Sequence, residues 1–119
     1  MNTNEIAARL VAHCRNAKWE TAQTELFATD AVSIESHPSP AFEKETKGLA
    51  AIMEKGRKFD GMIEKLHALT VSDPLVAGDA IACTMSMDVT MKGQPRMQMS
   101  ELCVYAVKDG KIVSEQFFM

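Results

Sequence analysis

The sequence predicts an α+β domain in which three N-terminal helices pack on one face of a curved, mostly antiparallel sheet. Apolar residues recur at helical spacing in the first half of the chain and alternate along most of the second half. Asp109-Gly110 separates two of the alternating runs, which is a strong signal for a tight β-hairpin. A chain of 119 residues is expected to form one domain, residues 1–119.

Three segments show the periodicity of amphipathic helices. The first is expected to begin after Asn2 or Thr3, because either side chain can cap a helix. The second begins near Trp19, and the third lies between Gly48 and Gly61, where glycine favours helix termination. The residues expected to face the core are Ile6, Leu10 and Cys14; Trp19, Ala22, Leu26 and Phe27; and Leu49, Ile52, Met53, Gly56 and Phe59.

One strand is expected between the second and third helices. Residues 31–36 alternate in polarity, and we expect Val32, Ile34 and Ser36 on one face of this strand, with Ser36 pointing into the pocket. The segment 36–47 contains two prolines and is predicted to be a loop, because proline lacks the N–H that a central strand needs.

Four strands joined by short turns are predicted after residue 61. The expected register places residue 107 opposite 112 and residue 91 opposite 96. The core face is then predicted to carry Ile81, Cys83, Met85, Met87, Val89, Leu102, Val104, Ala106, Val113, Glu115 and Phe117. The outer face is predicted to carry Ser86, Asp88, Met97, Met99, Glu101, Cys103, Tyr105 and Gln116.

Composition argues against several classes of protein. The net charge is −3 and the only basic cluster is Lys55, Arg57 and Lys58, so nucleic-acid binding is not expected. No apolar run approaches the ~20 residues of a membrane span, and the N-terminus lacks the segments of a signal peptide. Three cysteines without a CxxC pair indicate reduced thiols, so a cytoplasmic location is expected. The sequence has no metal-binding histidine spacing and no Gly-rich phosphate loop, so neither a metal nor a cofactor is expected.

Three local strings resemble the nuclear transport factor 2-like superfamily in its SnoaL-like branch, which also contains ketosteroid isomerase. They are LFATDAV (residues 26–32), KGLAAI (47–52) and VKDGKIV (107–113), and the resemblance extends over nearly the whole chain. It implies a cone-shaped half-barrel with an apolar pocket at its wide end, often with a homodimer formed through the outer face of the sheet. It does not imply one reaction, because the superfamily hosts several chemistries.

The catalytic residues of ketosteroid isomerase have no counterpart in this chain. That family uses a tyrosine on its first helix, a general-base aspartate after its first strand and a protonated aspartate in its penultimate strand. Ungapped matching places Leu10, Ser36 and Leu102 at those positions. None of these side chains supplies a base or an acidic O–H, so steroid isomerisation by that mechanism is rejected.

Glu115 is the main sequence candidate for acid–base chemistry. In the expected register it lies on the core face, where desolvation would raise the pKa of its carboxyl. The alternatives are a shifted register or a position at the rim of the sheet, where the side chain would reach water. His37 lies either at the mouth of the pocket, beside Ser36, or in an exposed loop. The expected ligand-binding residues are Trp19, Ile34, Ser36, Met53, Met85, Leu102 and Phe117.

Three functions remain compatible with the sequence. The first is a protein whose pocket binds a small apolar molecule with a polar tip. The second is an isomerase, cyclase or dehydratase that uses Glu115, assisted by His37 or Ser36. The third is a structural or adaptor domain in which side chains fill the pocket. The Met- and Phe-rich core face favours the first function, because small-molecule sites are mostly apolar.

Overall fold

The computed structural model describes residues 1–119 and contains three helices and seven strands. The helices are α1 (Thr3–Arg15), α2 (Trp19–Leu26) and α3 (Leu49–Met62). The strands are β1 (Phe27–Ile34), β2 (Glu45–Lys47), β3 (Ile63–Val71), β4 (Leu75–Ala77), β5 (Ala80–Met91), β6 (Met97–Lys108) and β7 (Lys111–Phe118). The three predicted helices are confirmed, and the predicted loop 36–47 contains the short strand β2.

Local sequence explains where the helices begin. Asn2 caps α1 by accepting a hydrogen bond from the Glu5 backbone N–H at 2.8 Å, while the Glu5 carboxylate accepts one from the Asn2 backbone N–H at 3.0 Å. This reciprocal pair is a capping box, which satisfies two backbone donors at the exposed end of the helix. Gly48 precedes α3 with φ of 95°, a conformation that glycine adopts more readily than other residues.

The sheet is curved and unclosed, with the strand order β2-β1-β7-β6-β5-β3 and with β4 paired to β5. Every pairing is antiparallel except that of β1 with β7. The helices and one face of the sheet enclose a core that includes Ile6, Leu26, Ile52, Ile81 and Ile112, each 0% exposed. This arrangement confirms the predicted α+β half-barrel, with its helices on a mostly antiparallel sheet.

The last hairpin turns at Asp109-Gly110 as predicted, but its register changes after two pairs, Lys108 with Lys111 and Val107 with Ile112. Both residues have positive φ, 52° and 75°, which matches the type I′ turn. Val107 pairs with Ile112 as expected, and the next pair is Ala106 with Ser114, so a bulge lies at Val113. The prediction that pairs Val104 with Glu115 is therefore wrong, because the bulge moves Glu115 opposite Tyr105.

The predicted phase of β6 is also wrong. β5 and β6 pair with Val89 opposite Met97 and Met85 opposite Glu101, whereas the expected register places residue 98 opposite Val89 and Leu102 opposite Met85. The chain between paired residues is therefore one residue shorter than expected. Gln94 closes a tight turn by donating its N–H to the Met91 carbonyl at 3.0 Å, and Pro95 then has no N–H to pair. This shift of one residue reverses the faces of β6. Glu101, Cys103 and Tyr105 point toward the helices, whereas Leu102 is 41% exposed on the outer face.

The predicted faces of the first strand are reversed as well. The strand begins at Phe27, directly after α2, and its pairing with β7 is irregular between Phe27 and Val32. Ser33 is 0% exposed on the inner face, opposite Glu115. Ser36 donates a hydrogen bond to the Phe117 carbonyl at 2.8 Å and accepts one from the Met119 backbone N–H at 2.8 Å. Its hydroxyl therefore fixes the end of β7 instead of pointing into the pocket.

All three cysteines are buried free thiols. None of the helices is both long enough and apolar enough to cross a membrane.

Candidate functional site

A cavity of about 390 Å³ lies between the three helices and the inner face of the sheet. Side chains do not fill it, contrary to the third function considered from the sequence. Thirteen of its 21 lining residues are hydrophobic. The helices contribute residues such as Leu10, Gln23 and Gly56, and the segment after β1 contributes His37 and Phe42. Its size and apolar character are typical of small-molecule sites.

Most of the aromatic side chains of the protein face this cavity. The chain has one Trp, one Tyr and five Phe, and all but Phe118 line the cavity. Phe42 and Phe59 pack against each other with their ring centroids 6.5 Å apart. The cavity lining therefore presents ring faces and edges to a ligand, which favours flat or cationic groups.

A chain of hydrogen bonds forms the polar part of the cavity wall. Ser33 donates to the Oε2 atom of Glu115 at 2.7 Å. Lys55, on α3, donates to the Ser33 hydroxyl at 2.6 Å and to Oε1 of Glu35 at 2.8 Å. The Lys55 ammonium also lies 5.7 Å from the ring centroid of Phe117. These contacts connect α3, β1 and β7 through buried polar groups, which are costly to leave unpaired.

Glu115 is buried on the cavity wall. The residue is 5% exposed, and the loss of water around its carboxyl raises its pKa, an effect that the Ser33 hydrogen bond and Lys55 oppose. No fully buried polar side-chain atom lacks a hydrogen-bond partner. Because no protein donor reaches the second carboxyl oxygen, Oε1, that atom is not fully buried, and Glu115 lines the cavity.

Glu101 is a carboxyl group of the cavity wall whose protonation changes near neutral pH. Burial, and then the negative charge of Glu35, raise the pKa of its carboxyl to about 7. The Cys103 thiol lies 3.8 Å from its Oε1 atom and is a weak donor. A carboxyl with this pKa exchanges protons readily at neutral pH, as a general acid or base must.

A family model for the SnoaL-like domain matches residues 1–119. The chain belongs to the SnoaL-like domain family. This confirms the resemblance seen in the sequence. A search of curated proteins finds no match to the chain.

Solved structures resemble this SnoaL-like domain over nearly its full length. A candidate SnoaL-like polyketide cyclase from Mesorhizobium loti has 29% identity, full coverage of both chains and a TM-score of 0.92. A protein with a ketosteroid isomerase-like fold from Catenulispora acidiphila has 23% identity and a TM-score of 0.75, with 99% of this chain and 87% of the other covered. TerC has 13% identity and a TM-score of 0.79, with 98% and 90% covered. The last two likenesses show the fold alone.

The SnoaL-like domain brings five of the nine residues predicted for the site to the cavity wall. Those five are Trp19, His37, Met85, Glu115 and Phe117. The other four do not line the cavity, and their predicted placement there is wrong. Ile34 and Leu102 lie on the opposite strand faces, Ser36 follows β1 and bonds the end of β7, and Met53 lies beside the lining residue Ile52 on α3.

Sequence reasoning missed three ionisable residues of the site. Glu101 was missed because the assumed connection before β6 is one residue too long, and Glu35 was missed because the phase of β1 is reversed. The role of Lys55 could have been predicted from its position. It lies three residues after Ile52 and four before Phe59, on the apolar face of α3. A lysine on such a stripe indicates a buried acidic partner, which Glu35 provides.

Proposed function

We propose that this SnoaL-like domain binds a small, mostly apolar molecule and orients it by a polar tip. The observation that carries this proposal is the open apolar cavity of about 390 Å³ with ionisable groups on one part of its wall. An apolar ligand gains free energy from burial, while a few polar groups fix its orientation.

Ligands bound to proteins of the same fold support this proposal. The Catenulispora acidiphila structure is a complex with trimethylamine, and TerC was co-crystallised with polyporic acid. Both are small molecules of different chemistry, so the fold accepts varied ligands and the local side chains must select among them.

Gly56 offers a direct test of the cavity. It lies on α3 at the cavity wall, where an added Cβ would have no neighbour closer than the Gln23 side chain at 4.0 Å. We expect Gly56→Leu to fill part of the cavity and to weaken binding of the probe 2-naphthol at least about tenfold, since the added atoms occupy space that the probe needs. Isothermal titration calorimetry measures the change.

Two glycine variants serve as controls for this test. Gly56→Ala adds one methyl group, and Gly61→Ala changes α3 at a site with nothing within 4 Å. Both should retain binding of 2-naphthol. Equal affinity in Gly56→Leu and in the unmodified protein would show that the probe binds elsewhere, and no binding to the unmodified protein would reject the proposal.

A second candidate function is acid–base catalysis of the isomerase, cyclase or dehydratase kind. The pKa of about 7 at Glu101 favours it, because a base with a pKa near the working pH transfers protons efficiently. Glu101 would act as the general base, with Glu115 and His37 on the same cavity wall. The Mesorhizobium loti structure belongs to a candidate polyketide cyclase, which makes carbonyl compounds the first substrates to test.

Hydrogen–deuterium exchange at carbon separates catalysis from binding alone. If the domain is a catalyst of this kind, it should speed the exchange of the proton next to the carbonyl of an aryl β-keto ester in D₂O. NMR follows the rate of this exchange. We expect Glu101→Gln to lose at least about 100-fold of the enzymic rate, the usual contribution of a general base. Glu64→Gln, on the exposed part of β3, is the matched control. Binding of 2-naphthol without any exchange would leave the domain a binding protein.

We also propose a homodimer formed through the outer face of the sheet, in the cytoplasm. Leu102 and Phe118 are paired neighbours on β6 and β7 and are 41% and 47% exposed, which leaves an apolar pair uncovered in the single chain. The cytoplasmic location is supported by the three free thiols, because disulfides are rare in that compartment.

A further inference from the structure

We propose that the polar tip of the ligand is a cationic amine, protonated or quaternary, held between the carboxyl groups and the aromatic rings of the cavity. This inference rests on the proposed binding function, since it names the charge of the ligand in the same cavity.

Acidic groups outnumber basic ones on the cavity wall. Glu35, Glu101 and Glu115 line it, whereas Lys55 is the only lysine or arginine that does. Lys55 is already committed, because two of its donors are used by Ser33 and Glu35. The Lys55–Glu35 pair leaves Glu101 and Glu115 without a cation of their own.

These two carboxyl groups keep free acceptor atoms. Glu115 receives one hydrogen bond, from Ser33, and its Oε1 atom has no protein donor. Glu101 receives only the weak contact from the Cys103 thiol. A ligand that brings positive charge would supply what the protein does not, and a charge in an apolar site is stabilised by an opposite charge far more strongly than in water.

The aromatic lining favours a cation for an independent reason. The negative faces of aromatic rings attract ammonium groups, and quaternary amines are recognised in proteins by such rings. Tyr105 lies directly beside Glu115 across the β6–β7 ladder, and Phe117 follows two residues later on β7. The Lys55 ammonium near the Phe117 ring shows that a cation reaches a ring face in this part of the wall.

An anionic ligand fits these observations poorly. A carboxylate or phosphate would meet three acidic residues and one lysine whose charge is paired, and like charges at short range in an apolar site repel strongly. A neutral ligand would fill the cavity but would gain nothing when Glu101 ionises.

Charged and titratable groups from four parts of the fold act on Glu101. Glu35 follows β1, Lys55 is on α3, Cys103 is on β6 and Glu115 is on β7. The contact with the Cys83 thiol, and then burial, raise the pKa of the Cys103 thiol, so this thiol remains neutral near pH 7. The affinity for a permanent cation should therefore rise as the pH increases through about 7, where Glu101 ionises.

The test compares three probes of similar size by equilibrium dialysis between pH 5.5 and 8.5. Benzyltrimethylammonium carries a permanent positive charge, neopentylbenzene is its neutral isostere, and phenylacetate is the anion. At pH 8 the cation should bind about tenfold or more tightly than the neutral isostere, and phenylacetate should bind most weakly. Only the cation should gain affinity as the pH rises, by about tenfold across the range.

Variants assign this pH dependence to one side chain. Glu101→Gln should remove the rise in cation affinity with pH, while Glu64→Gln should keep it. The inference is overturned if neopentylbenzene or phenylacetate binds as tightly as the cation, if the cation does not bind, or if Glu101→Gln keeps the full rise. Binding of 2-naphthol that is lost in Gly56→Leu would still support the cavity function in each of those cases, so the two proposals fail separately.

Discussion

The Glu101 carboxyl links the chemistry of the cavity to the stability of the fold. Its pKa is raised from 4.5 to about 7 in the folded protein, first by burial and then by the charge of Glu35. In the unfolded chain the pKa returns to its ordinary value, so between these two pH values the folded state holds more protons. The free energy of unfolding must therefore fall as the pH rises through this interval.

We expect Glu101→Gln to remove this pH-dependent loss. Near pH 4 the variant and the unmodified protein should differ little, because Glu101 is protonated in both the folded and the unfolded state. By pH 8 the variant should be more stable by up to about 3 kcal/mol, the free energy that corresponds to this change in pKa. Urea unfolding at several pH values measures the difference. The control Glu64→Gln should follow the unmodified protein, and an unchanged pH profile in Glu101→Gln would contradict the assignment.

At the level of elements, local signals predicted the helices and the last turn. Asn2 with Glu5, and Asp109 with Gly110, are interactions between residues close in sequence, so their geometry is specified without the rest of the fold. The inner face of β6 could not be predicted in the same way. Both faces of this strand carry apolar residues, so the pattern does not indicate which face is buried. Met97, Met99 and Cys103 lie on one face, and Leu102 and Val104 lie on the other.

Register in this sheet therefore depends on single residues in the connections. The turn between β5 and β6 is one residue tighter than expected, which reverses the faces of β6, and the bulge at Val113 then returns Glu115 of β7 to the inner face. Glu115 therefore reaches the inner face through the shifted register of β6 together with the bulge at Val113, and not through the regular hairpin predicted from the sequence. A shift of one residue exchanges the faces of a strand, so one misjudged connection places every side chain of β6 on the wrong face.

Two glycines in different elements should respond to alanine in opposite directions. Gly110 has φ of 75° in the last turn, where a side chain is strained, so Gly110→Ala should destabilise the protein by about 1 kcal/mol. Gly56 lies inside α3 with room for a Cβ, so Gly56→Ala should stabilise it by roughly 0.5–1 kcal/mol. Thermal and urea unfolding of both variants measure these changes. Equal signs would contradict the helical and turn conformations given to these residues.

At the scale of the whole molecule, β6 separates two proposed functions across the thickness of one sheet. Glu101 faces the cavity, and its neighbour Leu102 faces outward beside Phe118. Because successive side chains of a strand point to opposite faces, the proposed ligand site and the proposed dimer surface use adjacent residues of β6.

This separation leads to a prediction for Leu102→Glu. A charge at the centre of an apolar interface is costly to desolvate, so the variant should be monomeric where the unmodified protein is dimeric, as measured by light scattering after size-exclusion chromatography. Ala8→Glu, on the exposed side of α1, should remain dimeric. The Leu102→Glu monomer should still bind 2-naphthol, because the substituted side chain points away from the cavity. A monomer that loses binding would mean that the two faces are coupled, and a monomeric unmodified protein would reject the proposed interface.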